Sequence, residues 1–258
     1  MKKYTLTLIL ALVSLGLYAQ TNRNKTIINA ALHGWEYEIK AGVNLGGTAP
    51  LPFPEEIRSI DGYNPTLSIT IEGNMTKWLD SKKKWWIITG LRLENKGMRT
   101  KATVKNYNME IIGYDGNRLK GNWTGGVRTK VQNSYITIPV LAAYKLNPRT
   151  TLKLGPYFSY LMDGDFSGHV YEGYLRETNP TGDKINFTNG AIATYDSSGD
   201  LRKFQWGVQA GVDWKAFKHL KVHADLNWGL NDIFNKDFKT VTFDMYAIYL
   251  NVGFGYAF

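Results

Sequence analysis

Hydrophobic and polar residues alternate with a period of two over much of the chain, in segments of about ten residues. The pattern is sharpest in 203–215, where Phe204, Trp206, Val208, Ala210, Val212 and Trp214 alternate with Gln205, Gly207, Gln209, Gly211 and Asp213. Tyr37, Ile39, Ala41, Val43 and Leu45 likewise alternate with Glu38, Lys40, Gly42 and Asn44. Helical spacing is nearly absent. The periodicity predicts eight strands, at 35–46, 64–76, 85–97, 134–145, 151–161, 203–215, 221–231 and 242–258. Further alternation in "ATVKNYNMEII" and "VRTKVQN" predicts that the third and fourth strands run on as a hairpin.

The connections alternate too. "LDSKKK", "KLNPRT" and "AFKHLK" follow strands two, four and six, whereas the links at 47–63, 98–133, 162–202 and 232–241 are longer. Short turns at one end and long loops at the other are the layout of an outer-membrane barrel, periplasmic turns opposite extracellular loops. The fold class expected is all-β, an eight-stranded antiparallel transmembrane β-barrel over 35–258.

Which face meets which solvent follows from the polar set. A soluble barrel coats its outside with long charged side chains; here the polar face is rich in Gly, Ser, Thr, Asn and Gln. Small residues suit the narrow lumen of an eight-stranded barrel. The apolar face therefore looks into hydrocarbon, and Trp85, Trp206, Trp214, Trp228, Phe254, Tyr256 and Phe258 are expected on it, several near strand ends where an aromatic girdle forms. The same phase puts Glu38, Lys40, Glu72, Arg92, Glu94, Lys153, Asp213, His223 and Asp225 in the lumen. Buried charges persist only when paired and hydrogen-bonded, so these residues predict a structural ion network that fills the barrel.

Composition changes the picture in three ways. The start, "MKKYTLTLILALVSLGLYAQ", has charged, apolar and small-residue zones in the order of a secretory signal peptide over 1–19, followed by a polar lead-in over 20–34. Cysteine is absent, which excludes disulfides and a lipidated cysteine at the cleavage point. The net charge of +9 raises nucleic acid, but an exported chain with dispersed basic groups meets anionic lipid first. The basic short turns, with Lys82, Lys83 and Lys84, then Lys145 and Arg149, then Lys215, Lys218 and Lys221, suit lipid headgroups and solvent equally.

Catalytic chemistry has one candidate arrangement. His223 and Asp225 share a predicted inner face, with Ser68 or Ser159 as possible nucleophiles, but neighbours two apart on a strand stand about 7 Å apart, which strains a direct contact. The four histidines show no metal-ligand spacing, and "GNWTGG" leads into no predicted helix, so no metal, cofactor or phosphate loop is expected.

The stretches "GLRLENKGM", "YITIPVLAAYKL", "LKLGPYFSYLM", "FQWGVQAGVDW" and "ADLNWGLNDI" together resemble the PorT-like outer-membrane β-barrel family of Bacteroidota. The resemblance covers most strands and none of the loops. It implies a scaffold in the outer membrane, with the terminal aromatic strand as the signal read by the barrel-assembly machinery. Members often carry a carboxylate before the Ile-Pro pair, where this chain has Thr137. The expected role is non-enzymatic, a monomer with a structural or surface-binding function through its loops. An accessory part in protein secretion and a small lipid-acting enzyme are the alternatives.

Overall fold

The computed structural model describes residues 35–113, 116–238 and 240–258. The expected segments 1–19 and 20–34 lie outside the described residues. Ten strands form: β1 (Trp35–Pro50), β2 (Ile57–Pro65), β3 (Ser68–Trp78), β4 (Trp85–Ile112), β5 (Arg118–Lys145), β6 (Thr150–Glu177), β7 (Lys184–Asp196), β8 (Phe204–Lys215), β9 (Leu220–Gly229) and β10 (Met245–Ala257). Eight of them, β1, β3, β4, β5, β6, β8, β9 and β10, close into one antiparallel ring. The seam is the β1–β10 ladder, running from Glu38 opposite Ala257 to Pro50 opposite Met245. Closure removes every open strand edge at membrane depth, which hydrocarbon requires because it offers no hydrogen bonds.

The remaining two strands stand above the ring. β2 continues the lane of β3 beside β4, with Pro65 opposite Met98 where Thr70 had faced Glu94. β7 continues the lane of β8 beside β6. The 28-residue strands β4, β5 and β6 carry the ring upward into this extension. The hairpin expected from strands three and four is therefore present. The readings of 162–202 and 47–63 as loops need correction, since β6 runs to Glu177 and β2 and β7 are strands.

Interior and exterior exchange chemical character partway along these long strands. On β4 the buried positions read Arg92, Glu94, Lys96, then Met98, Val104, Met109 and Ile111. The outward positions change in the opposite sense, from Leu91 and Leu93 to Asn95, Arg99 and Lys101. On β5 the buried row passes from Thr137 and Tyr135 to Val131, Val127 and Trp123, and on β6 from Lys153 and Ser159 to Leu161, Phe166 and Val170. The first polar outward residues, Asn95, Ser134 and Asp163, are ladder neighbours, so the exchange occurs at one level across three strands.

A change of solvent explains it. Below that level the outside is hydrocarbon and favours apolar side chains; above it the outside is water, and the apolar side chains turn inward to form a core. About ten residues of β4 lie below the level. At a rise of roughly 3.3 Å per residue and a tilt of about 40° they span about 25 Å, the height of an outer-membrane apolar band. The extension is thus a water-soluble β-structure built on a lipid-soluble one, and its core is a continuous cluster including Trp123, Val170, Leu175, Phe187 and Phe234. Each such side chain contributes about 1.5–3 kcal/mol when fully buried.

Candidate functional site

The lumen at membrane level is packed with charge. Alternation aims Lys40 of β1, Glu72 of β3, Arg92 of β4, Lys153 of β6, Asp213 of β8 and Asp225 of β9 at one another, and all are buried. Lys153 sits between the two aspartates, hydrogen-bonded to Asp213 Oδ1 and 2.7 Å from Asp225 Oδ1. Lys40 Nζ lies 3.6 Å from each of the same carboxylates and 3.9 Å from Glu72 Oε1. Glu72 is held in turn by Arg92 Nε and by Asn74. Arg92 completes its fork by donating to Gln209 Oε1 at 2.8 Å and Asn227 Oδ1 at 3.1 Å, reaching β8 and β9 across the barrel. Glycine makes room: a Cβ at Gly211 would stand 1.8 Å from Asp225 Oδ1.

Glu94 organises the next layer up. It accepts from Thr137 Oγ1 at 2.7 Å, from Asn44 Nδ2 at 3.3 Å and from Lys96 Nζ at 3.0 Å. Thr137 also shares a 2.7 Å hydrogen bond with Ser159, so the hydroxyl at the position before Ile138 and Pro139 supports a neighbouring carboxylate. Lys96 projects into a cage of Tyr135, Tyr157 and Tyr249, with ring centroids 5.2–5.9 Å from Nζ. Such contacts stabilise a desolvated cation by up to about 2 kcal/mol. At the periplasmic end Glu38 pairs with Lys221 at 3.1 Å.

All nine interior residues expected from sequence lie inside the barrel, and the seven expected outward aromatics are exposed. Lys96 and Lys221 were missed. With Lys40, Arg92 and Lys153 they make five bases against the five acids Glu38, Glu72, Glu94, Asp213 and Asp225. The alternation Arg92, Glu94, Lys96 carried the signal for Lys96.

The Asp-oriented histidine does not form. His223 Nε2 bonds Asn251 Oδ1 at 2.8 Å, while Asp225 is taken up by Lys153 and Lys40. Asn251 spends its amide donors on Asn44 and Thr70, so the imidazole carries its proton on Nε2. Ser68 donates to Thr66 O and Ser159 pairs with Thr137, so neither hydroxyl meets the imidazole. Among the described residues no three His, Asp or Glu side chains converge as metal ligands.

Above Lys96 the interior opens. A cavity of about 490 Å³ begins at Met98 and is walled by Ala102, Val104, Met109, Val127, Phe166 and Met245. Beside it lies a cleft of about 910 Å³ with Arg99, Lys101, Arg128, Lys130 and His169 on its walls. Tyr63, Thr100, Thr129 and Tyr195 line both. Burial and the neighbouring Arg128 charge hold His169 below its ordinary pKa. Burial works to raise the Asp165 carboxyl, but hydrogen bonds from Lys130 and Ser167 and the Lys130 charge outweigh it and hold the group below the ordinary range. The stability this pair contributes is therefore present above the usual carboxylate pKa and is lost as pH falls through the lowered one.

Hydrocarbon outside a closed ring and ion pairs inside it define a transmembrane β-barrel of the outer membrane. The chain belongs to the family described as "Outer membrane protein beta-barrel domain", whose model matches residues 18–235. No curated protein is similar enough in sequence to match. Among solved structures, the attachment invasion locus protein Ail of Yersinia pestis is 11% identical over 87% of this chain and 97% of its own, with a TM-score of 0.36. Neisserial surface protein A is 10% identical with the same coverage and a TM-score of 0.30. The outer membrane protease OmpT from Escherichia coli is 12% identical over 88% of this chain and 97% of its own, with a TM-score of 0.33.

Proposed function

We propose that this is a non-enzymatic, monomeric outer-membrane protein whose membrane part is a closed plug and whose extracellular extension binds at the cell surface. The ion network carries the reading. Lys40, Arg92 and Lys153 each face two or more acids across the lumen, and the hydrogen-bonding side chains of Asn44, Gln209, Asn227 and Asn251 fill the space between them. Moving hydrated ions through such a lumen requires breaking several buried pairs at once, each costly when one partner is lost. The extension has the features expected of a binding part: two cavities, exposed apolar residues at its base, and a core of its own to hold them in place.

Cleavage after Ala19, insertion through the C-terminal strand by the assembly machinery, and kinship with the PorT-like barrels of Bacteroidota belong to the same reading. The quoted strand sequences support that kinship, and the exposed Phe254, Tyr256 and Phe258 on β10 support the assembly signal.

Conductance tests the plug. Purified protein inserted into a planar bilayer is expected to give no discrete current steps. Steps comparable to those of a large general porin would overturn the reading.

A further inference from the structure

Resting on that surface-binding reading, we propose that the extension binds a single-chain anionic amphiphile: an acyl chain in the apolar cavity above the plug, and a carboxylate or phosphate head among Arg99, Lys101 and Arg128.

The way in lies between β1 and β2. Above the level where β3 begins, β2 takes the lane beside β4, and among the described residues β4 is its strand partner. The upper part of β1, Gly46 to Pro50, pairs with β10 on its other side. Across the gap Tyr63 of β2 donates its hydroxyl to Gly46 O at 2.6 Å. Gly46 has a φ of +150°, a conformation that side-chain-bearing residues rarely adopt, and Gly47 packs directly against the Met98 side chain. Phe53, Ile60 and Tyr63 are exposed around the opening, and Ile248, which follows the lipid-facing row of β10, lines the same cavity. The opening is therefore continuous with the apolar belt at the level where hydrocarbon gives way to water.

The cavity selects for a flexible apolar chain. Its volume of about 490 Å³ falls within the range of small-molecule sites, roughly 300–1,000 Å³. Water is a poor occupant, since it needs two to four polar partners. Two of the hydroxyls that line the cavity, on Thr129 and Tyr195, are paired with each other at 2.6 Å. Met98, Met109 and Met245 give walls that adapt to a bent chain. Met98 is also the floor: the next buried side chain below it on β4 is Lys96, locked to Glu94.

The head group follows from charge. Arg99, Lys101 and Arg128 form no ion pair among the described residues, although Lys101 and Arg128 stand over the ring of Tyr171. They line the cleft that shares Tyr63 and Thr100 with the apolar cavity. Two arginines and a lysine that make no ion pair, beside a chain-sized cavity, suit an anionic head, with the arginines able to engage it bidentately.

The full chain, reconstituted in nanodiscs of diphytanoyl phosphatidylcholine, is titrated with 11-(dansylamino)undecanoic acid. Saturable one-to-one binding is expected, weakened at least tenfold by Ala102→Trp, which fills the cavity. Val127→Phe serves as the second filling variant if the first fails to fold. Joint Arg99→Glu and Lys101→Glu should weaken the anionic probe at least fivefold while leaving uncharged N-phenyl-1-naphthylamine unaffected. Partition no greater than in empty nanodiscs, or filled variants that bind like the wild type, would overturn the chain site; equal affinity after charge reversal would overturn the head-group assignment. Mass spectrometry of solvent extracts distinguishes the source, a single-chain lysophospholipid of the membrane or a free fatty acid; either one at one per chain supports the site, and a two-chain lipid in its place would overturn it. A silent barrel that takes no probe sinks this inference alone, whereas a conducting barrel sinks the plug and leaves the titration standing.

Discussion

Arg92→Met should lower the unfolding free energy by about 3–5 kcal/mol, read as a shift in the urea transition of protein folded into lipid vesicles. Arg92 is the side chain through which β4 reaches β3, β8 and β9 at once. Its loss leaves Glu72 with Asn74 and with Lys40 at 3.9 Å, and removes the donor from the carbonyl oxygens of Gln209 and Asn227. A buried carboxylate without its partner is the dominant cost. Replacing both members, Arg92→Met with Glu72→Met, should therefore recover much of the loss, because two well-packed apolar groups need no partner. A single variant within 1 kcal/mol of the wild type would mean that the guanidinium is hydrated and the lumen is open.

The second large effect is on the other face. Phe158→Arg is expected to cost about 2–4 kcal/mol, since Phe158 points outward about midway down the apolar belt, beside Ile138 and Trp206 on the neighbouring strands. Gln132→Arg puts the same side chain on the outward face of β5 above the polarity exchange, and should stay within about 0.5 kcal/mol. The contrast matters more than either value. Two outward arginines with equal costs would remove the reason for placing the hydrocarbon boundary at Asn95, Ser134 and Asp163.

How much of this could be read from sequence depended on whether alternation kept its phase. Below the boundary it does, and there both the strands and the inward set, Glu38 through Asp225, were legible. Lys96 was lost because it stands where the apolar residues change sides, two positions before Met98. The upper part of β6 was lost to bulges. Register shifts opposite Ser134/Tyr135 and Gly125/Gly126 move its buried row from Leu161 to Phe166 and Val170, then back to Leu175, so "MDGDFSGHVYEGYLRE" reads as a polar loop rather than a strand. β2 is short, largely exposed and twice shifted against β4, leaving little pattern to detect. The interior partners were beyond reach for another reason. Arg92 meets Gln209 and His223 meets Asn251 across the barrel or between strands, and no local spacing encodes which inward residue lies opposite which.

Tryptophan quenching by lipids brominated in their acyl chains tests orientation most directly. In single-tryptophan proteins with the others changed to Phe, Trp206 and Trp214, which face outward on β8, are expected to lose most of their emission. Trp123, buried in the extension's core, should keep its own. Quenching of Trp123 with Trp206 and Trp214 untouched would contradict the account.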